Sequence, residues 1–242
     1  MASHERFTTS AWVPPWVRYQ HLARYKWAES FVAGKTVIDA ACGVGYGSIM
    51  LARAGAKLVR GFDIAHEAID SANQSEKPGN VEFALGDVTR LPIPDASIDV
   101  FVCFETIEHV PDDAAVVAEA ARVIRPGGMF FCSSPNRVLT NPGKSIDDKP
   151  FNEHHVREYS REELDRLLLR GFSRVEWHGQ TVYSHRYARR LNSMASKARS
   201  IAARLHQLRK LTYAPFDRFE NHAVIASPWT GEPEFLVAVC TR

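Results

Sequence analysis

No stretch of this chain approaches the roughly 18 consecutive apolar residues of a membrane-spanning helix, so no transmembrane segment is expected. The amino terminus, MASHERFTTSAW, is polar and charged and lacks the apolar centre of a secretory signal. Cysteine is scarce: Cys42, Cys103, Cys132 and Cys240 are the only four, and none has the CxxC or Cys/His spacing of a zinc site. Three fall in strand-like runs and Cys42 in a glycine turn, which favours buried free thiols over disulfides and a reducing, cytoplasmic setting. A strong net charge is missing too. The balance of 30 Lys and Arg against 28 Asp and Glu leaves +2, so the molecule as a whole is no polyanion binder. Locally the balance differs: from Trp177 to Phe216 there is no acidic residue, while Arg186, Arg189, Arg190, Lys197, Arg199, Arg204, Arg209 and Lys210 are basic. Repeats and low-complexity tracts are absent.

What is present is an alternation of periods. Apolar residues at helical intervals over 16–31 predict an amphipathic helix, part of a helical cap at about 10–33. Short apolar runs predict strands at 36–41, 57–62, 81–85, 98–104 and 129–133, with helices at 44–54, 66–76 and 112–124 between them. Pro126-Gly127-Gly128 reads as the turn that launches the fifth strand. Ser160-Arg161-Glu162-Glu163 reads as a capping box opening a helix through Arg170. A strand at 173–178, a basic helical insert at about 184–213 and a strand at 235–240 complete the chain. Such alternation predicts an α/β fold, a parallel sheet with helices on both faces. With 45% hydrophobic residues, the 242-residue chain is expected to form a single domain, 1–242.

Three glycines, Gly43, Gly45 and Gly47, follow the first strand and the acid Asp39. Glycine lets the backbone turn tightly and approach a ligand without a Cβ, and between a strand and a helix it makes a nucleotide-sized seat. Asp63 ends the second strand about twenty residues on, where a carboxylate can accept hydrogen bonds from ribose hydroxyls. Asp87 ends the third strand within reach of an adenine amino group, and Ile64 and Val88 stand ready to sandwich the ring. The spacing GVGYG departs from the GxGxxG dinucleotide fingerprint, which argues against NAD.

VIDAACGVGYGS, GFDIA, GDVTRLPIPDASIDV, FETIEHV and ARVIRPGG together resemble the ordered motifs of class I S-adenosylmethionine-dependent methyltransferases. With HLARYKWAES and FNEHHVREYSREEL the likeness reaches about residue 180 and resembles a bacterial subgroup acting on sugars, glycans and natural products. The resemblance implies a Rossmann-like, seven-stranded, mostly parallel sheet with an antiparallel last strand. It also implies an S-adenosylmethionine seat in which Asp39, Gly43 and Gly45 hold the methionine part and Asp63 the ribose. Asp87 and Val88 then hold the adenine, with Phe104 and Glu105 beneath the sulfonium. Arg24 is expected to pair with the cofactor carboxylate, because a guanidinium matches it bidentately.

For methyl transfer the protein must align an acceptor lone pair and, for a hydroxyl, help remove a proton. His109 is the first candidate base and His155 the second, since imidazole titrates near neutral pH. Glu153, His154 and His155 run consecutively where the related pattern has Pro and an aromatic residue. Glu105, Glu108, Asp147, Asp148 and Glu153 offer oxygen donors for a Mg²⁺ ion, with no geometry fixed by sequence. Acceptor contacts are expected from Trp12, Trp16, Tyr19, Tyr25, Trp177, Tyr183, Tyr187, Tyr213 and Phe216. The reading is O-methylation of a sugar, oligosaccharide or glycan precursor. The alternative is N- or O-methylation of a small natural product or quinone-like lipid. A nucleic-acid role for the basic insert ranks last, because Leu191, Ile201, Leu205 and Leu208 make that segment amphipathic. The same face suits an adjacent subunit, so a homo-oligomer is an open expectation.

Overall fold

The computed structural model describes residues 15–193 and 222–242. Its centre is an eight-stranded sheet in the order β3-β2-β1-β4-β5-β8-β6-β7. The strands are β1 Thr36–Ala40, β2 Leu58–Asp63, β3 Val81–Leu85, β4 Ile98–Phe104, β5 Ile124–Pro135, β6 Arg174–Ser184, β7 Val224–Ala226 and β8 Gly231–Thr241. Neighbours from β3 to β5 pair in parallel. The last strand, β8, inserts antiparallel between β5 and β6, as the resemblance implied. The count is eight rather than seven. β6 runs on to Ser184, and the short β7 pairs with its edge at His178–Gln180.

Why these segments become central strands is visible in β4, where every residue from Ile98 to Phe104 is buried. A parallel strand covered on both faces has no solvent side, so it reads as a nearly continuous apolar run, interrupted here by Asp99, which accepts from Thr36 N. Phe101 and Cys103 face the core formed with α4 (Asp113–Val123) and α6 (Arg161–Leu168), while Val100 and Val102 face α1 (Pro15–Ala28), α2 (Tyr46–Arg53) and α3 (His66–Gln74). All four cysteines are free and buried in these layers. The Ser160 capping box is formed, with its hydroxyl accepting from Glu163 N and the Glu163 carboxylate accepting from Ser160 N.

One local expectation changes. The ladder of β5 begins at Ile124, opposite Ile98, and resumes at Met129, opposite Val100, so Pro126-Gly127-Gly128 is an irregularity within the strand. Beyond β5, Asn136 caps a single helical turn, α5 (Arg137–Thr140), and bridges to Tyr159. The basic insert begins as α7 (His185–Ser193); its continuation, with Trp12, Tyr213 and Phe216, lies outside the described residues. Among the described residues no helix is long and apolar enough to cross a membrane.

Strand order reverses between β1 and β4, and ligands of open α/β sheets sit at the carboxyl ends of strands at such a point.

Candidate active site

A cleft of about 560 Å³ opens at that reversal, lined at one end by Gly43, Asp63, Ile64, Asp87 and Val88 and at the other by Phe104, Glu105 and His109. The turn after β1 is built from left-handed residues: Ala41 has φ 57°, Gly43 55° and Gly45 84°. Such conformations in a non-glycine residue cost energy and concentrate at functional sites. Gly43 N donates to Asp63 Oδ2 at 2.9 Å, and Ala65 N donates to Asp63 Oδ1 at 2.9 Å. These bonds fix the Asp63 carboxylate against the glycine turn, at the cleft lining. Asp87 sits in a tight turn, accepting from the Thr89 amide at 2.9 Å and its hydroxyl at 2.7 Å, which holds its carboxyl below the usual range. Between the two acids Ile64 is 66% exposed beside the buried Val88, an apolar side chain held in the open where a flat ring can lie against it.

Other candidates lie behind the cleft wall. Asp39 is fully buried and accepts from Tyr25 Oη at 2.9 Å and Ser48 Oγ at 2.6 Å. Burial lifts its carboxyl to about 6, against the pull of those two hydroxyls. The structure therefore places Asp39 as a brace between α1, β1 and α2. Gly45 is also turned inward, since a Cβ there would meet the Phe83 ring at 2.4 Å. Arg24 is completely buried, donates to Gln180 Oε1 at 2.7 Å, stands 3.9 Å from Glu105 Oε1 and lies over the Phe235 ring. It stands behind the cleft lining, next to Glu105.

Glu105 is itself unusual, a non-glycine residue at φ 49°. Ser133 holds it: the Glu105 amide donates to Ser133 Oγ at 3.1 Å, and that hydroxyl donates to Glu105 Oε1 at 2.7 Å. Phe104 packs edge-on against Tyr25.

At the far end His109 Nδ1 lies 3.0 Å from the His154 carbonyl oxygen. A carbonyl only accepts, so Nδ1 carries the hydrogen and Nε2 the lone pair. His155 lies outside the cleft lining. Its Nδ1 is 2.6 Å from Glu158 Oε1, and its ring crosses that of His109 edge-on at 4.7 Å. Of the oxygen donors proposed for Mg²⁺, Asp147, Asp148 and Glu153 are exposed, and Asp148 is engaged with Ser145. Glu108 instead is fully buried.

Sequence reasoning did not single out His21, which also lines the cleft. Burial and the Arg24 charge hold its imidazole well below 6.5. A histidine on an amphipathic helix carries no local mark of what it will face. Of the aromatic acceptor contacts, Tyr25 reaches the cleft. Trp177 is buried with its Nε1 donating to Asp165 at 2.9 Å, and Tyr183 and Tyr187 stack on each other beside Leu139 and Ala188.

Residues 38–132 match a family model described as a methyltransferase domain. A probable S-adenosylmethionine-dependent methyltransferase of Mycolicibacterium smegmatis is 40% identical over 63% of this chain and 57% of its own length. The 27-O-demethylrifamycin SV methyltransferase of Amycolatopsis mediterranei is 38% identical over 50% of this chain and 46% of its own. A ubiquinone biosynthesis O-methyltransferase of Neisseria meningitidis is 37% identical over 44% of this chain and 46% of its own. The chain thus matches about half the length of these relatives. A structure from Thermotoga maritima, described as a possible histamine N-methyltransferase, shares the fold with a TM-score of 0.60 over 94% of this chain and 93% of its own, at 18% identity.

Proposed function

We propose, with residues 38–132 forming a class I S-adenosylmethionine-dependent methyltransferase domain, that this chain methylates a hydroxyl of a small hydroxylated natural product or quinone-like molecule. The observation that carries the reading is the single cleft joining a nucleoside-shaped end to His109. Asp63 takes the ribose hydroxyls, Ile64 and Val88 the adenine faces, and Asp87 the adenine amino group. Gly43 and the Phe104–Glu105 turn hold the methionine part. Arg24 acts one step removed, by positioning Glu105, and Asp39 by bracing the glycine turn.

The donor brings the reactive methyl group, so the protein contributes alignment and exclusion of water. His109 lines the acceptor end of the cleft, where its lone-pair nitrogen can help activate an acceptor group, with the His154 carbonyl fixing the tautomer. An amine needs no such group once neutral, whereas a hydroxyl does, and this favours an oxygen acceptor. The O-methyltransferase names among the relatives support the same side. Nothing in those names speaks for the saccharide acceptor drawn from the subgroup resemblance, so it stands second.

Calorimetry with S-adenosylmethionine and S-adenosylhomocysteine tests the donor half; absence of binding for both removes the proposal. Mass spectrometry of reactions with labelled donor and panels of phenols, macrolactam alcohols, amines and saccharides tests the acceptor half. Methylation confined to amines would overturn it.

A further inference from the structure

Glu108 is 0% exposed, and neither carboxylate oxygen has a hydrogen-bond partner among the described residues. A buried carboxylate left without donors is costly. Its charged surroundings deepen the difficulty: the Glu105 and Glu158 carboxylates repel its charge, with Arg24 as the opposing cation. A side chain kept in such a place needs either its own proton or a cation.

The neighbours favour a cation. One donor atom each from Glu108, His109 and His155 lies within 4.8 Å of the other two. The chain brings them together across a long loop, because the Glu108 carbonyl accepts from Val156 N at 2.8 Å while His154 holds the His109 ring. Both imidazoles are set for ligation by their outer contacts. His109 Nδ1 gives its hydrogen to a carbonyl and His155 Nδ1 faces the Glu158 carboxylate, which leaves Nε2 as the lone-pair nitrogen in each. An imidazole held by a carboxylate or carbonyl through its other nitrogen is the usual outer arrangement of a metal-bound histidine. His155 Nε2 also lies 3.0 Å from Asn152 Nδ2, a contact that a metal would replace.

We propose that Glu108, His109 and His155 form a site for one first-row divalent cation, reached from the cleft past His109. Two imidazoles and one carboxylate suit Mn²⁺, Fe²⁺, Co²⁺, Ni²⁺ or Zn²⁺ better than Mg²⁺, which prefers oxygen ligands. Of the oxygen donors expected for Mg²⁺, Glu108 is kept, joined by two imidazoles that change the metal. The cation's part in methyl transfer rests on the function proposed above. An acceptor hydroxyl bound beside it becomes more acidic and gives its proton to water. The oxygen pair then bonds to the methyl carbon, the carbon–sulfur bond breaks, and sulfur keeps its pair as S-adenosylhomocysteine. His109 serves this step as a ligand, not as the proton acceptor.

The test uses the full chain without a tag, stripped with chelator and titrated with Mn²⁺, the free ion followed by electron paramagnetic resonance. A parallel titration with Co²⁺ is followed by its visible bands. The expected result is one saturable equivalent, little displaced by equimolar Mg²⁺. Glu108→Gln and His155→Ala should each weaken Mn²⁺ binding tenfold or more, while Asp148→Asn leaves it unchanged. Absence of saturable binding in the unaltered chain overturns the site whatever the variants do. So does a folded Glu108→Gln protein that binds Mn²⁺ as tightly as the parent, since Glu108 is then a protonated acid. S-adenosylhomocysteine binding, measured on the same samples, separates the two proposals: its loss with Mn²⁺ binding intact defeats the methyltransferase reading alone.

Discussion

Tyr25 gives its hydroxyl hydrogen to Asp39 Oδ1 at 2.9 Å, tying the amino-terminal helix to the end of the first strand beneath the glycine turn. Both groups are buried: Tyr25 stands well above its ordinary value through burial and then the Asp39 charge, while its hydrogen bond draws Asp39 down against the effect of burial.

This pair predicts a pH-dependent cost for Tyr25→Phe. Asp39 titrates near 6 in the folded protein and near 4 unfolded. The unfolded chain therefore releases this proton first, and the Asp39 contribution to stability falls as pH rises from about 4 to about 6. Removing the Tyr25 donor lifts the folded value further and extends the fall to higher pH. Tyr25→Phe should cost about 1–3 kcal/mol at neutral pH, with a smaller deficit at pH 5. Urea unfolding at pH 5, 6 and 7.5 reads this out; a deficit constant across the series contradicts it.

Asp63 is held by the Gly43 and Ala65 amides and faces the cleft. Hydrogen bonds to a charged group are worth about 1.5–3 kcal/mol each, so Asp63→Ala should weaken S-adenosylhomocysteine binding about 10–100-fold. Calorimetry measures it, and an unchanged Kd would place the ribose elsewhere.

The glycines of the turn should separate by readout. Gly45→Ala combines a left-handed φ of 84° with a collision against Phe83, and should cost about 3 kcal/mol or more. A residue at Gly43 meets nothing within 4 Å, so Gly43→Ala should cost only about 1–2 kcal/mol. In melting temperature 1 kcal/mol is about 2–4 °C for a chain of this size. Because Gly43 lines the cleft, its substitution should also affect donor affinity. Equal melting losses in the two variants would show that the Phe83 contact yields easily.

His109→Ala should leave donor affinity within about twofold, while turnover falls about 10²–10⁴-fold, the range for losing a group that acts on the reacting proton or oxygen. Single-turnover rates beside calorimetric Kd values test it. A parallel loss in both would make His109 a support of the donor seat instead.

Much of the framework was legible because it is written in local periods. The apolar run Val100–Phe104 of β4, the helix ended by Val123 and the Ser160 capping box each depend on residues a few positions apart. The short edge strand β7 was not legible, since three residues carry too little pattern and their pairing is decided by how far β6 extends.

Within the site, local spacing reached the positions at strand ends but not the direction their side chains take. Gly43, Asp63, Ile64, Asp87, Val88, Phe104, Glu105 and His109 come to one cleft. Asp39 and Arg24 turn into the protein, because Tyr25 and Ser48 capture the first and Gln180 the second. The Gln180 contact spans 156 positions.

The amino-acid sequence alone determined the alternating α/β plan, the glycine turn and the acids at the ends of successive strands, since backbone preference and hydrophobic period act over a few residues. Tertiary structure alone decided which of those groups meet water and which meet each other. Burial and long-range hydrogen bonds chose between those faces, and they brought His155 to Glu108 and His109 where no spacing foretold it.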